Sequence, residues 1–207
     1  AVLEFFLSEQ YRLALANPDY QQQYYVDLSP RTQDAYVDGK WRTVLLGGSR
    51  TGASGIFALD VTDPASFSEA NADSIELWEF TEADDNRLGR IIQAPIISLA
   101  DWNDNGNNAD IRWTVFLPNG YKSGSQTTGF FMLDLEGGIQ DGWSDQTIDF
   151  VEFDSGIGAT GLSSISVLDT DSNGIADRVY AGDLNGNLWV ASGKDQWGSA
   201  YVSGNGS

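Results

Sequence analysis

The chain has 207 residues without a cysteine or a histidine, and thirty acidic against eleven basic side chains leave a formal net charge of −19. This excludes disulfides, thiolate sites, cysteine nucleophiles, histidine-based zinc or iron sites and any Ser-His-Asp triad. The charge disfavours nucleic acid and anionic membrane as partners and suits divalent cations.

With 41% hydrophobic residues the chain can bury a core, and no apolar run approaches the ~18 residues of a bilayer span. The opening Ala1-Val2-Leu3 has neither an initiating Met nor a basic signal region, so the chain reads as trimmed from a longer protein. Ala1 to Asn17 is the one stretch that fits a helical period, through Leu3, Phe6, Leu7, Tyr11, Leu13 and Leu15, and Pro18 stops it. Residues 1–23 are therefore assigned to an N-terminal helical connecting segment and residues 24–207 to an all-β domain.

In that domain short β-branched and aromatic runs alternate with Gly, Asn, Asp and Ser clusters, the pattern of strands and tight turns. The runs are Arg42 to Leu46, Gly55 to Leu59, Ile75 to Phe80, Trp113 to Leu117, Phe130 to Leu133, Ser164 to Leu168 and Asn187 to Val190. They recur as a group. A strand, an acidic turn, a strand, a Gly-rich turn and a Gly-opened strand span Ser29 to Val61, Ala94 to Leu135 and Gly161 to Val190. A fourth strand follows the first two copies, at Leu77 to Phe80 and Ile148 to Val151, and none is evident after the third.

The repeat is longer than the ~40–50 residues of most four-stranded blades, and insertions at Asp63 to Ser74 and Leu135 to Gln146 account for the excess. About three four-stranded antiparallel blades predict a partial, quinoprotein-like β-propeller, arranged radially and continued elsewhere in the parent, since closure takes about four to eight blades.

The sharpest motif is Asp169-Thr170-Asp171-Ser172-Asn173-Gly174-Ile175-Ala176-Asp177. Oxygen side chains fall at loop positions 1, 3, 5 and 9, Gly at 6, and a backbone carbonyl is available at 7. That spacing converges hard oxygens on one centre, as Ca2+ requires, and three carboxylates so placed repel one another without a cation. The flanks read as strands, so this is a strand–loop–strand and not a helix–loop–helix. Tyr180 stands where an EF-hand carries its bidentate Glu, which implies either modest affinity or a bidentate Asp177. The alternative is an Asx-rich turn without metal. The matching turn of the second copy offers Asp101, Asn103, Asn105 and Asp110 as a second candidate set, its last Asp one residue late. In the first copy only Asp34 and Asp38-Gly39 remain, and no metal is expected there.

Several segments carry a resemblance. Tyr24 to Pro30, Trp41 to Thr62, Leu77 to Thr81, Leu88-Gly89, Gln93 to Ile97, Asn119-Gly120-Tyr121 and above all Asp169 to Trp189 resemble, in order, the C-terminal domain of PilY-type proteins of type IV pili. Ser49 to Ser54 departs from the family, which tends there to pure Gly. The resemblance implies a quinoprotein-like propeller; the missing His and Cys, and carboxylates that cluster as ligands instead of pairing with a base, predict no enzymatic activity. The resemblance also implies roles in pilus assembly, in calcium-dependent antagonism of retraction and in adhesion. It places the protein at the pilus tip, outer membrane or periplasm of a Gram-negative bacterium. Minor pilins and a host or abiotic surface would be its partners. It gives Asp169, Asp171, Asn173, Asp177 and the Ile175 carbonyl the calcium-ligand roles.

Two other classes stay open: a periplasmic quinoprotein dehydrogenase and a secreted Asp-rich propeller binding module. The segment Ala181 to Trp189 is similar to a blade-docking motif of those dehydrogenases, although a tight hairpin and inter-blade packing explain Gly186 and Trp189 equally well. Among the aromatics, Trp41, Trp78, Trp113 and Trp189 are expected in the core, Trp102 and Trp143 are better placed for exposed contact, and Asp84-Asp85 reads as a solvated loop.

Overall fold

The structure is a computed structural model that describes residues 16–19, 24–103, 110–144, 146–153, 161–193 and 197–203. The expected N-terminal helix, with nearly all of the 1–23 segment, lies outside them; Ala16–Asp19 make a turn in which Asn17 Oδ1 accepts from the Asp19 N–H at 2.9 Å.

Among the described residues the strands form three open sheets. The first is β1 (Arg31–Val37), β2 (Lys40–Ser49), β3 (Gly55–Asp60) and β4 (Glu76–Thr81), in that order. A short helix α1 (Ala72–Ile75) lies within the β3–β4 insertion. The second sheet holds β5 (Ile96–Asp101), β6 (Ile111–Pro118), β7 (Gly129–Asp134) and β8 (Ile148–Glu152), with helix α2 (Leu135–Gln140) between β7 and β8. Ahead of β5 the short β10 (Ile175–Ala176) adds a parallel fifth strand. The third sheet runs β9 (Leu162–Leu168), β11 (Arg178–Asp183), β12 (Leu188–Ser192) and β13 (Gly198–Ser203). Within each sheet the consecutive strands are antiparallel.

The β1–β2 turn shows why these sequences meander. Asp38 and Gly39 both take positive φ, 53° and 73°, the two-residue turn whose twist matches antiparallel strands.

Burial follows from the stacking of the sheets. In the first sheet, residues of one parity (Arg42, Val44 and Leu46 on β2, Ile56 and Ala58 on β3) are buried and their neighbours largely are not. Strands β6 and β7 of the middle sheet are buried on both faces from Thr114 to Pro118 and from Gly129 to Leu133. Period-two alternation then divides them between two cores. Val115, Leu117, Phe131 and Leu133 join a cluster with Val44, Leu46, Trp78 and Phe80 of the first sheet. Phe116, Phe130 and Met132 join Ile165, Val179, Trp189 and Trp197 of the third. Edge-to-face pairs of Phe80 on Phe131 (5.2 Å) and a stack of Phe153 on Trp189 (5.3 Å, 6°) close the two interfaces.

This is the propeller-type arrangement the repeat predicts, with four corrections. The third sheet does have its outer strand: β13 pairs with β12 from Gly198 to Ser203, its apolar run Ala200-Tyr201-Val202 being only three residues long. Trp41 is 62% exposed, because it has the opposite parity to Arg42 and Val44. Trp143 goes the other way. It packs on Trp78 and Phe80, each at 5.1 Å, and its Nε1 donates to the Glu79 carbonyl at 2.5 Å. Asp85 is no solvated bystander: its carboxylate takes two-pronged contacts from Arg87, whose guanidinium lies 4.5 Å from the Phe150 ring centre.

Candidate metal centre

The loop from Asp169 to Asp177 leaves the end of β9, passes through β10 and enters β11. Backbone bonds anchor it. The Asp177 N–H donates to the Leu168 carbonyl, and the Gly193 N–H to the Asp177 carbonyl, each at 2.9 Å. Ile175 and Ala176 pair with Leu99 and Ala100 of the neighbouring sheet, so the loop ties the second and third sheets together.

Inside the loop the acidic side chains organise the turn. Asp169 accepts the N–H groups of Asn173 (3.1 Å) and Gly174 (2.7 Å), and Asp171 that of Asn173 (3.2 Å). Asn173 Oδ1 accepts from the Ile175 N–H at 2.7 Å. Gly174 sits at φ +88° with open space around it, so its requirement is conformational and not steric. Asp177, 8% exposed, accepts the Thr170 N–H at 3.1 Å and the Thr170 hydroxyl at 2.6 Å. The Gly174 and Asn173 N–H groups hold the Asp169 carboxyl below the usual carboxylate range.

Carboxylate oxygens of Asp169, Asp171 and Asp177 all lie within 4.8 Å of one another. Oxygens around a single Ca2+ at about 2.3–2.6 Å stand at most roughly 5 Å apart, so the set fits that ion. Each carboxylate oxygen that accepts an N–H keeps a further lone pair for a cation. Hard oxygens without nitrogen or sulfur match Ca2+ and not zinc or copper. Of the predicted ligands, Asp169, Asp171 and Asp177 are thus brought together. Asn173 lies on the same turn with its Oδ1 engaged by the backbone, and Ile175 opens β10 beside Leu99.

The second candidate set is placed in part. Asp101 Oδ1 accepts the Asn103 N–H at 3.1 Å, and the Trp102 N–H donates to the Asp110 carbonyl at 3.1 Å. Asn105 lies outside the described residues. Trp102 turns inward, donating from Nε1 to Thr114 Oγ1 at 2.8 Å, with the Arg112 guanidinium 4.8 Å from its ring centre.

Two features escaped the reading of the sequence. Thr170 holds Asp177 in place, and a hydroxyl residue between two ligands was the signal available for it. At the β11–β12 turn Asp183 accepts from Trp189 Nε1 (3.0 Å), Asn187 N (2.9 Å) and Nδ2 (2.7 Å) and Asn185 N (2.9 Å). Burial opposes its ionisation, but those donors outweigh it and hold the Asp183 carboxyl low. The segment from Ala181 to Trp189 is thus a carboxylate-centred turn that aims Trp189 at Phe153.

Comparison with known proteins bears on this arrangement. A family model described as the PilY1 beta-propeller domain matches residues 7–194. A type IV pilus biogenesis factor PilY1 homolog of Xylella fastidiosa is 40% identical over 92% of this chain, and PilY1 of Pseudomonas aeruginosa is 37% identical over 81% of it. The chain spans 13% of the length of either relative. The crystal structure of the Pseudomonas aeruginosa PilY1 C-terminal domain superposes with a TM-score of 0.63 at 37% identity, covering 81% of this chain and 30% of that one. On the fold, the repeat and these matches together, the chain belongs to the PilY1 beta-propeller family.

Proposed function

We propose that this chain is a calcium-binding part of the propeller of a type IV pilus biogenesis factor that works at the cell surface or pilus tip as an adhesin. Its partners would be minor pilins and a host or abiotic surface. The observation that carries the reading is the convergence of the Asp169, Asp171 and Asp177 carboxylates on a loop whose far end pairs with the neighbouring blade. Ca2+ held by Asp169, Asp171, Asn173, Asp177 and the Ile175 carbonyl would supply the positive charge that cancels their mutual repulsion. A second ion at Asp101, Asn103, Asn105 and Asp110 is the weaker part of the proposal.

The chain's own residues do the rest. Thr170 orients Asp177, Gly174 permits the turn, and β10 carries the state of the loop to β5, giving calcium a route to blade packing. We assign the chain no catalytic step: these carboxylates face one another as ligands and none is paired with a base. The test is calorimetric titration of the parent protein with CaCl2, beside a retraction assay in cells. Asp171→Ala should lose the uptake and release retraction. Asp171→Lys should restore the pilus phenotype without uptake, its ammonium standing in for the ion. Unchanged uptake in Asp171→Ala overturns the site. Lost uptake with unchanged pili keeps the site and overturns the pilus role.

A further inference from the structure

We infer that the cleft between the first and second blades is a binding site for a neutral saccharide. Its lining residue Leu99 pairs with Ile175 of the acidic loop, but the polar and aromatic side chains argued below come from the first and second blades. The cleft has a volume of about 530 Å3, within the ~300–1,000 Å3 of small-molecule sites. Both blades that build it lie in the chain: Tyr36 and Val37 come from β1, Leu99 from β5, Ile111, Arg112 and Trp113 from β6, and the far wall from α2 and the segment after it.

The lining has two kinds of surface. The first is aromatic. Tyr36, 49% exposed, and half-buried Trp113 line the cleft, and Trp41 meets both rings edge-on at 5.7 and 6.2 Å. Trp41 itself lines an adjoining hollow of about 170 Å3 with Asp34, Arg42, Thr43 and Thr62. Rings left in water at the mouth of a polar cleft offer flat apolar platforms beside hydrogen-bonding groups.

The second surface is a mixed polar fringe. Arg112 Nη1 donates to Asp134 at 3.0 Å and to the Gln146 carbonyl at 2.8 Å, and Gln140 Nε2 donates to Glu136 at 2.9 Å. Exposed Gln140, Asp141 and Gln146 add further donors and acceptors.

That combination selects among ligand classes. Carboxylates at Asp134, Glu136 and Asp141 outnumber Arg112, which Asp134 already pairs, and so repel an anion. Amides, carboxylates and a guanidinium interleaved within one cleft suit groups that both donate and accept, which is the property of sugar hydroxyls. The apolar C–H face of a pyranose covers an exposed ring while its hydroxyls reach the fringe. Two adjoining hollows with Trp41 beside both fit a chain of two or more rings.

The test is titration of the purified protein with methyl glycosides and neutral disaccharides of glucose, galactose, mannose and N-acetylglucosamine. Tryptophan fluorescence and saturation-transfer NMR follow binding, and calcium uptake is measured in parallel. At least one sugar should bind, its ring C–H protons receiving saturation from the protein. The exposed variants Gln146→Ala and Asp141→Asn should each weaken it by about 3- to 10-fold, and Trp41→Ala should weaken it further, all with calcium uptake unchanged. Because Trp113 also packs on the core, it is left intact. The inference is overturned if no sugar in the panel binds, if a lysine-rich peptide binds the cleft and no sugar does, or if binding survives all three substitutions.

Discussion

The second and third blades share a strand order, yet they close the same two turns with different chemistry. In the third, the acidic loop between the first two strands ends on a carboxylate: the N–H of its second residue, Thr170, donates to Asp177 Oδ1. In the second, the corresponding N–H of Trp102 donates to the backbone carbonyl of Asp110. One extra residue before the closing Asp exchanges a side-chain acceptor for a main-chain one. Where the third blade gathers three carboxylates, the second fills the position after its first Asp with an indole held by Thr114 and Arg112.

The turn after the next strand shows the same divergence. Asn119, fully buried, donates to the Arg87 and Thr127 carbonyls and accepts from the Gly129 and Leu162 N–H groups. Asp183 takes the matching place in the third blade and only accepts. A neutral amide that must both donate and accept locks the middle blade to its neighbour. An exposed-side carboxylate, which can titrate, organises the outer one.

Substitutions can break or sharpen this contrast. The largest effect is expected at Asn119. Asn119→Ala strands buried backbone groups from both blades and should lower unfolding free energy by about 3 kcal/mol, read by urea denaturation. If its loss equals that of a surface substitution, the amide is not the lock described.

Next is the loop: Asp171→Ala should weaken calcium uptake by about 100-fold, whereas Asn103→Ala in the second blade should change total uptake far less. Equal losses in a calorimetric titration would erase the distinction between the loops.

Asp183→Asn keeps one acceptor and loses the carboxylate that serves Trp189 and Asn187, a change of about 1.5 kcal/mol at neutral pH. Its folded carboxyl is held low, so the stabilisation is present above the ordinary carboxylate range and lost as pH falls through the folded value. The wild-type stability profile should therefore fall in acid more steeply than that of Asp183→Asn. Parallel acid limbs would remove the titrating role from Asp183.

Gly174→Ala meets no atoms within 4 Å and stays in the left-handed region, so it should cost only about 1 kcal/mol, seen as a small fall in thermal midpoint without calcium. Smallest is Trp102→Phe, which removes the hydrogen bond to Thr114 for about 0.5–1 kcal/mol and should leave calcium uptake untouched.

Much of this was legible in the residues. Strand positions followed apolar runs bounded by Gly and Asp, because short stretches of β-branched and aromatic residues have few alternatives to a pleated ladder. The loop from Asp169 to Asp177 was legible because its spacing is local: nine consecutive residues determine which side chains converge. Trp41 and Trp143 were misplaced for the opposite reason. A tryptophan's burial depends on strand parity and on what packs across from it, and Trp143 finds Trp78 and Phe80 more than sixty residues away in the chain.

By itself, then, the order of residues determined the strands, the Asp38-Gly39 hairpin turn and the carboxylate spacing of the acidic loop, since all of these depend on contacts within a few positions. Only the tertiary structure decided that β10 leaves its own blade to pair with β5, that β13 completes the third sheet, and that β6 and β7 are buried on both faces. Each of these is settled by which surfaces meet when sheets stack, and two residues such as Ile175-Ala176 carry no pattern that names a partner some seventy-five positions earlier. The cleft between the first two blades belongs to the same class, because Tyr36 and Gln146 come to line one cleft only once the sheets have packed.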